Sequence, residues 1–275
     1  MSEHFQLAVL GNPVAQSKSP MIHRAFGEQL GLWVSYKAIP CDADELADQL
    51  ARLWSMNYCG LNLTVPLKEK ASALCCEIKA PSALAGSVNT LIRNPDGWVG
   101  TSTDGEGLVN DLEALNIALK DQRVLILGAG GAVAGICGEL LAAGASRVTV
   151  MNRSYDRAKA LCDRLKDPRM LALSNPPTDT ALDTGQPYDV LIQGTSVGHH
   201  GQCPPLKAHW LRAKASIYDL NYGPAHVPMA TWAKDHGFSI HDGLGMLVRQ
   251  AALSFEIWTG QKPQVEPVLK ILRSA

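Results

Sequence analysis

The stretch Arg123-Val-Leu-Ile-Leu127-Gly128-Ala-Gly-Gly-Ala-Val133 decides the fold, together with the residues next along the chain: a small-residue run over 134–143, then Arg147-Val-Thr-Val-Met151-Asn152-Arg153-Ser154. Its first five residues are a β-branched and leucine run of buried-strand type. Glycines come at once and open a helical segment that stops at Gly144, after which a second strand ends at Asn152. Glycines between strand and helix let the backbone approach a pyrophosphate, whose charge the helix N-terminus favours. The pattern departs from G-x-G-x-x-G at its last position, Val133. The end of the second strand sharpens the reading. A site for NAD places Asp or Glu there to accept from the ribose 2′-hydroxyl, whereas a nearby Arg accommodates a 2′-phosphate. Asn152 holds that position, with Arg153 beside it and Arg157 one helical turn on, which favours NADP. The plainer alternative is a tight turn and a solvated arginine, and the strand–turn–helix context weighs against it.

Around this stretch, 275 residues are enough for one large or two modest domains, and the composition (46% hydrophobic, 19% charged) is that of a globular protein. A net charge of −1 without long charged runs gives no reason to expect nucleic acid or an anionic membrane as the main partner. The longest apolar run, 124–138, is glycine-rich and is cut by Glu139, too short to span a bilayer. Seven cysteines without a C-x-x-C, and an N-terminus without a basic leader, point to reduced thiols and a cytoplasmic location. His199-His200 lack spaced partners, so no metal is expected.

Strands and helices alternate before the fingerprint as well. Strands are expected at 5–10, 34–39, 59–65, 87–93 and 97–101, the last two joined by the turn Asn94-Pro95-Asp96-Gly97. Helices are expected from Ser19-Pro20 to about 30 with serine as N-cap, over 42–56, from Pro66 to about 76, and from Asp104 to about 115. Beyond the fingerprint, strands are expected at 189–193, 216–220 and 238–241, then a helix at 244–258 with no strand after it; 167–187 reads as irregular. Repeated βα units imply parallel sheets with helices on both faces. The fingerprint starts in mid-chain, so the residues before about 104 form a separate α/β domain.

Several polar residues stand where chemistry could use them. In Leu61-Asn62-Leu63-Thr64-Val65, Asn62 and Thr64 share one face. A helix beginning at Pro66 would set Lys68 against its positive end, an arrangement suited to a lysine that exchanges a proton; a surface lysine in Lys68-Glu69-Lys70 is the other reading. Asp104 reads as a helix N-cap, which at a sheet edge is compatible with facing a ligand. Ser17 and Ser19 lie two apart in an extended loop, Asn89 interrupts the apolar strand 88–92, Gln250 borders the stripe Leu247, Ala251, Phe255, and Tyr222 comes after a strand end. Each could equally be structural.

Together these segments resemble the shikimate dehydrogenase family, nearly end to end. The resemblance is carried by Gly11-Asn12-Pro13, Ser17-Lys18-Ser19-Pro20, Asn62-Leu63-Thr64-Val65-Pro66-Leu67-Lys68, Ala85-Gly86-Ser87-Val88-Asn89-Thr90 and Thr103-Asp104-Gly105. It continues through Gly128-Ala129-Gly130-Gly131-Ala132, Asn152-Arg153-Ser154 and Asp242-Gly243-Leu244-Gly245-Met246-Leu247. The resemblance implies NADPH-dependent, reversible reduction of 3-dehydroshikimate to shikimate, with Lys68 and Asp104 catalytic. Ser17, Ser19, Asn62, Thr64, Asn89, Asp104, Tyr222 and Gln250 would hold the substrate. Gly128, Ala129, Gly130, Gly131, Ala132, Asn152, Arg153, Ser154 and Arg157 would hold NADP, and Leu220 and Gly243 would border the nicotinamide. It also implies two α/β domains, a substrate domain of 1–103 plus 243–275 and a Rossmann-type NADP domain of 104–242, with the C-terminal helix returning to the first, in a monomer or homodimer. Thr101-Ser102, Ser87 and Leu63 depart from the family's usual residues, leaving room for a paralogue that also oxidises quinate; a non-catalytic NADP-binding regulator is the alternative of another class.

Overall fold

The computed structural model describes residues 4–79, 86–175 and 186–274. The chain forms two units, Met1–Leu108 with Leu247–Ala275, and Val109–Met246.

The first unit begins β1 (His4–Gly11), α1 (Ser19–Leu30), β2 (Trp33–Pro40), α2 (Leu46–Ser55), β3 (Gly60–Leu63), β4 (Glu77–Ile78), β5 (Thr90–Asn94) and β6 (Gly97–Thr101). These strands form one mixed sheet, β2-β1-β3-β5-β6-β4. β1 is parallel to β2 and β3, β5 is antiparallel to β3 and β6, and β4 is parallel to β6. β3 is buried throughout, and its Leu61 and Leu63 join Leu10, Leu46, Leu53 and Leu91 in the core. The turn into β6 is the one expected from Asn94-Pro95-Asp96-Gly97: Asn94 Oδ1 accepts the Asp96 N–H at 3.3 Å and Gly97 takes φ 139°.

The chain passes from the first unit to the second within α3 (Asp104–Ala114). The second unit then alternates β7 (Arg123–Leu127), α4 (Gly131–Ala142), β8 (Arg147–Asn152), α5 (Tyr155–Leu165), β9 (Met170–Ser174), β10 (Tyr188–Gln193), β11 (Leu211–Asp219), α6 (Val227–Asp235) and β12 (Ser239–His241). Among the described residues its strand pairs are all parallel and the order is β12-β11-β10-β7-β8-β9, the doubly wound arrangement of dinucleotide-binding folds. The chain returns to the first unit within α7 (Leu244–Thr259) and ends in α8 (Val265–Ser274). Two bonds between Gln29 and the backbone of Gln264, at 3.0 and 3.1 Å, hold the approach to α8 beside α1.

The expected α/β class and the return of the last segments hold; several local expectations do not. No α-helix starts at Pro66. Residues 65–69 form turns, ahead of a short 3-10 helix, Lys70–Leu74, so Lys68 precedes the helical residues and no helix dipole acts on it from a first turn. Ser19 is not an N-cap: Lys18 holds that position, and the Ser19 N–H donates to Ser17 Oγ at 3.3 Å. Asp104 is the first helical residue rather than the cap, and Ser102 Oγ accepts its N–H at 3.3 Å. The stretch read as irregular contains β9, and its residues 176–185 lie outside the described ones, as does Ala85 of the Gly86 motif. α8 escaped notice because its apolar face, Val268, Leu269 and Leu272, lies past Pro263 and within a short polar tail.

Candidate active site

Three loops and strand ends of the first unit converge on Asp104. Backbone bonds brace the turn after β3: Leu67 N–H donates to Thr64 O at 2.9 Å, and Val88 N–H to Lys68 O at 2.9 Å. Lys68 is thereby brought to the start of α3, where its Nζ donates to Asp104 Oδ2 at 2.5 Å. Both side chains are largely buried, 13% and 6% exposed. The other carboxylate oxygen, Oδ1, accepts from Asn89 Nδ2 at 2.9 Å. An ionised carboxylate only accepts, so two donors on separate oxygens fix its plane. Asn89 is itself locked: its Oδ1 accepts from Thr103 N–H at 2.9 Å and Thr90 Oγ1 at 2.7 Å, and its Nδ2 also reaches Gln250 Oε1 at 3.2 Å. Lys68, Asp104, Asn89 and Gln250, scattered from 68 to 250 in sequence, form one hydrogen-bonded chain in space.

Asn62 joins this chain at a remove. It is buried, accepts from Tyr36 Oη at 2.7 Å, and donates to Asn89 O, Thr90 Oγ1 and Ser254 Oγ at 3.1–3.2 Å. Its amide is spent inside the protein. Thr64 stands at the end of β3, packed so closely on Gly11 that a Cβ there would collide with its Cγ2. Ser17 and Ser19 are bonded to each other through the Ser19 N–H. Tyr36, Thr90, Thr103 and Ser254 were missed from sequence. Ser254 carried a legible signal, a polar residue one turn after Gln250 on the buried face of α7; Thr90, in β5, and Thr103, between β6 and α3, carry none of their own.

In the second unit, the fingerprint glycines sit between β7 and α4. Gly128 adopts φ 108°, and a Cβ on it would meet Gly194 O at 2.9 Å, whereas nothing would stand within 4 Å of a Cβ on Gly130. Gly130 is the N-cap of α4, and the first N–H groups of a helix have no acceptor within it. A pyrophosphate fits an open helix N-terminus of this kind. Past β8, Asn152 Nδ2 donates to Ser154 O at 2.9 Å, and Arg153, Ser154 and Arg157 are exposed around the start of α5. No carboxylate stands at the end of β8, so these residues suit a 2′-phosphate. Leu220 and Gly243 lie together: a Cβ on Gly243 would collide with Leu220 O, and Gly243 N–H donates to Asn221 O at 3.0 Å. The buried Asp219 carboxylate pins this edge, accepting from Asn221 N–H at 3.0 Å and pairing with His226 Nδ1 at 3.1 Å. Tyr222 belongs to the same loop, and burial pushes its hydroxyl pKa up.

Comparison with known proteins identifies the family. Residues 9–91 match the model of the shikimate dehydrogenase substrate binding domain, 112–200 that of shikimate / quinate 5-dehydrogenase, and 243–273 that of the shikimate 5′-dehydrogenase C-terminal domain. The chain is 39% identical to the shikimate dehydrogenase (NADP(+)) of Colwellia psychrerythraea, over 98% of this chain and 97% of that one. It is 42% identical to that of Alkalilimnicola ehrlichii, over 97% of each. The crystal structure of shikimate 5-dehydrogenase from Thermus thermophilus in complex with NADP(H) and shikimate superposes with a TM-score of 0.85, at 32% identity, covering 98% of this chain and 99% of that one. Identity at this level over nearly the whole length, on the same fold, places the chain in the shikimate dehydrogenase family.

Proposed function

We propose that this chain catalyses the reversible, NADPH-dependent reduction of 3-dehydroshikimate to shikimate. The observation that carries the reading is the buried Lys68–Asp104 pair, held by Asn89 and Gln250 in a protein of this family. When bound, the nucleotide supplies the hydride in one direction and takes it up in the other. Lys68 Nζ gives a proton to the oxygen as the substrate's carbonyl becomes a hydroxyl, and in reverse the neutral amine takes that proton back. Asp104 accepts from Lys68 and orients it. Asn89 holds the carboxylate through its other oxygen.

Ser17, Ser19, Thr64, Asn89, Tyr222 and Gln250 are the residues we assign to the substrate's carboxylate and hydroxyls. Asn62, with its amide bonded internally, supports Asn89 from behind. Gly128 to Ala132 with the N-terminus of α4 would take the pyrophosphate, Asn152, Arg153, Ser154 and Arg157 the 2′-phosphate side, and Leu220 and Gly243 the nicotinamide edge. The substrate is a small molecule, and we read the enzyme as cytoplasmic and either monomeric or homodimeric.

The test is a four-way assay of nicotinamide reduction, shikimate or quinate against NADP or NAD. Shikimate with NADP should turn over fastest; no turnover in any arm would favour a non-catalytic NADP-binding protein. Positioned acid–base catalysis is worth ~10²–10⁴-fold, so Lys68→Ala should lose turnover by about that factor with a smaller change in KM. A variant that keeps most of its kcat would refute the role given to Lys68.

A further inference from the structure

Ser19 and His23 stand one helical turn apart on α1, and both are buried. Tyr36, from β2, lies against the two of them. Its ring stacks on the His23 imidazole with centroids 4.2 Å apart and planes 5° from parallel. Its hydroxyl donates to Asn62 Oδ1 at 2.7 Å, and the Ser19 side chain lies beside that same hydroxyl. His23 is hemmed in by Phe26, Phe255 and Trp258, and neither of its ring nitrogens has a hydrogen-bond partner. It offers Tyr36 a flat face and nothing polar. With its carbonyl oxygen turned to Tyr36, the Asn62 amide has its NH₂ directed at Asn89 O, and Asn89 in turn donates to Asp104.

We propose that Tyr36, clamped against His23, is a positioning residue that ties the Ser17–Ser19 end of the site to the Lys68–Asp104 pair, fixing Ser19 on one side and the Asn62 amide on the other. The proposal rests on the reading of Ser17 and Ser19 as the pair that takes the substrate's carboxylate. The Tyr36 hydroxyl has one proton, committed to Asn62, so it can act only as an acceptor toward the Ser19 side chain beside it. Ring and hydroxyl therefore do different things. The ring packs, and the hydroxyl sets direction.

Tyr36→Phe separates them, because it keeps the stack and deletes only the oxygen. Loss of one such hydrogen bond corresponds to about a tenfold rise in KM for shikimate, with kcat changed less than about threefold and KM for NADP unchanged. The rise should shrink to within about twofold for the methyl ester of shikimate, which presents the serines with no negative charge to hold. His23→Phe, which keeps a flat ring, should leave KM near that of the unaltered enzyme, whereas His23→Ala should raise it as Tyr36→Phe does. An unchanged KM in Tyr36→Phe, or equal rises for shikimate and its ester, would overturn the proposal and leave Tyr36 a packing residue. Turnover of shikimate by the unaltered enzyme is read first: its absence sinks the functional reading and this proposal together, whereas turnover with an unmoved Tyr36→Phe KM sinks this proposal alone.

Discussion

His23 is sealed among Phe26, Tyr36, Phe255 and Trp258, where charging it would strip an imidazolium of water. Burial pushes its pKa down from the ordinary 6.5 to about 3, and the neighbouring Asn62 offsets only part of that. In the unfolded chain the ring takes up a proton below about pH 6.5, while in the folded chain it stays neutral. The folded pKa is the lower one, so stability is whole above about 6.5 and drains away as pH falls toward 3, by up to ~1.4 kcal/mol per unit. Between pH 7 and 5 this single group should cost on the order of 2 kcal/mol. Urea unfolding of His23→Phe should show a correspondingly smaller loss over that interval than the unaltered protein; equal losses would mean that His23 is not held neutral. Arg153 makes a second prediction at this scale. It is exposed at the start of α5, and charge-assisted hydrogen bonds to a phosphate contribute ~1.5–3 kcal/mol. Arg153→Ala should weaken NADP binding about tenfold or more while leaving NAD within about twofold. Titration calorimetry with both nucleotides measures this, and equal losses would show that Arg153 does not read the 2′-phosphate.

Between elements, glycine decides how close α3 comes to α7 near Gln250. A Cβ on Gly107 would meet Gln250 Cβ at 2.7 Å and its backbone nitrogen at 2.8 Å, and backbone yields less readily than a side chain. Gly107→Ala should therefore cost about 1–3 kcal/mol of stability, as overpacking does. It should also lower kcat/KM, because Gln250 shifts relative to Asn89, the group that donates to it. Gly138 in α4 is the contrast: nothing would lie within 4 Å of its Cβ, so Gly138→Ala should gain about 0.5–1 kcal/mol from helix propensity and leave activity alone. Thermal melts and steady-state kinetics on the two variants decide, and a harmless Gly107→Ala would show that the contact has slack. The elements themselves were unevenly legible. β7, β6 and the turn at 94–97 could be read because strand pattern and turn chemistry agree there. The helix expected from Pro66 failed because the cue that proline favours a first helical turn is local, while the loop of Thr64 to Lys68 is held by backbone bonds to Leu10 in β1 and to Val88 just before β5. Asp104 was read as a cap for the same reason, since its carboxylate is claimed by Lys68 and Asn89 from distant segments.

Across the whole chain, the sequence disclosed the second unit better than the first, because a run of βα units dictates its own neighbours whereas the mixed sheet of the first unit pairs β5 with β3, and β4 with β6, across long stretches of sequence. The same contrast holds for the sites. The fingerprint from Gly128 to Arg157 is contiguous and could be read directly, while Lys68, Asn89, Asp104 and Gln250 were ambiguous one by one until the resemblance grouped them. Tyr36, which no motif flags, emerged only from the contacts. This asymmetry leads to a prediction about how ligand binding is felt. The residues we assign to the phosphates and nicotinamide fall in Val109–Met246, and those we assign to the substrate, apart from Tyr222, fall in the other unit. Anything that binds only the folded state stabilises it by RT ln(1 + [L]/Kd), about 2.7 kcal/mol at a hundredfold excess over Kd, and slows opening where its contacts are made. NADP alone should therefore slow amide exchange chiefly around 128–134, 152–158 and 219–222. Shikimate alone should slow it around 17–23, 35–37, 62–68, 88–90 and 247–254. Hydrogen-exchange mass spectrometry on the intact enzyme, with each ligand separately, reads both patterns. Protection by NADP centred on 62–68, or by shikimate centred on 128–134, would mean that the two ligands have been assigned to the wrong units.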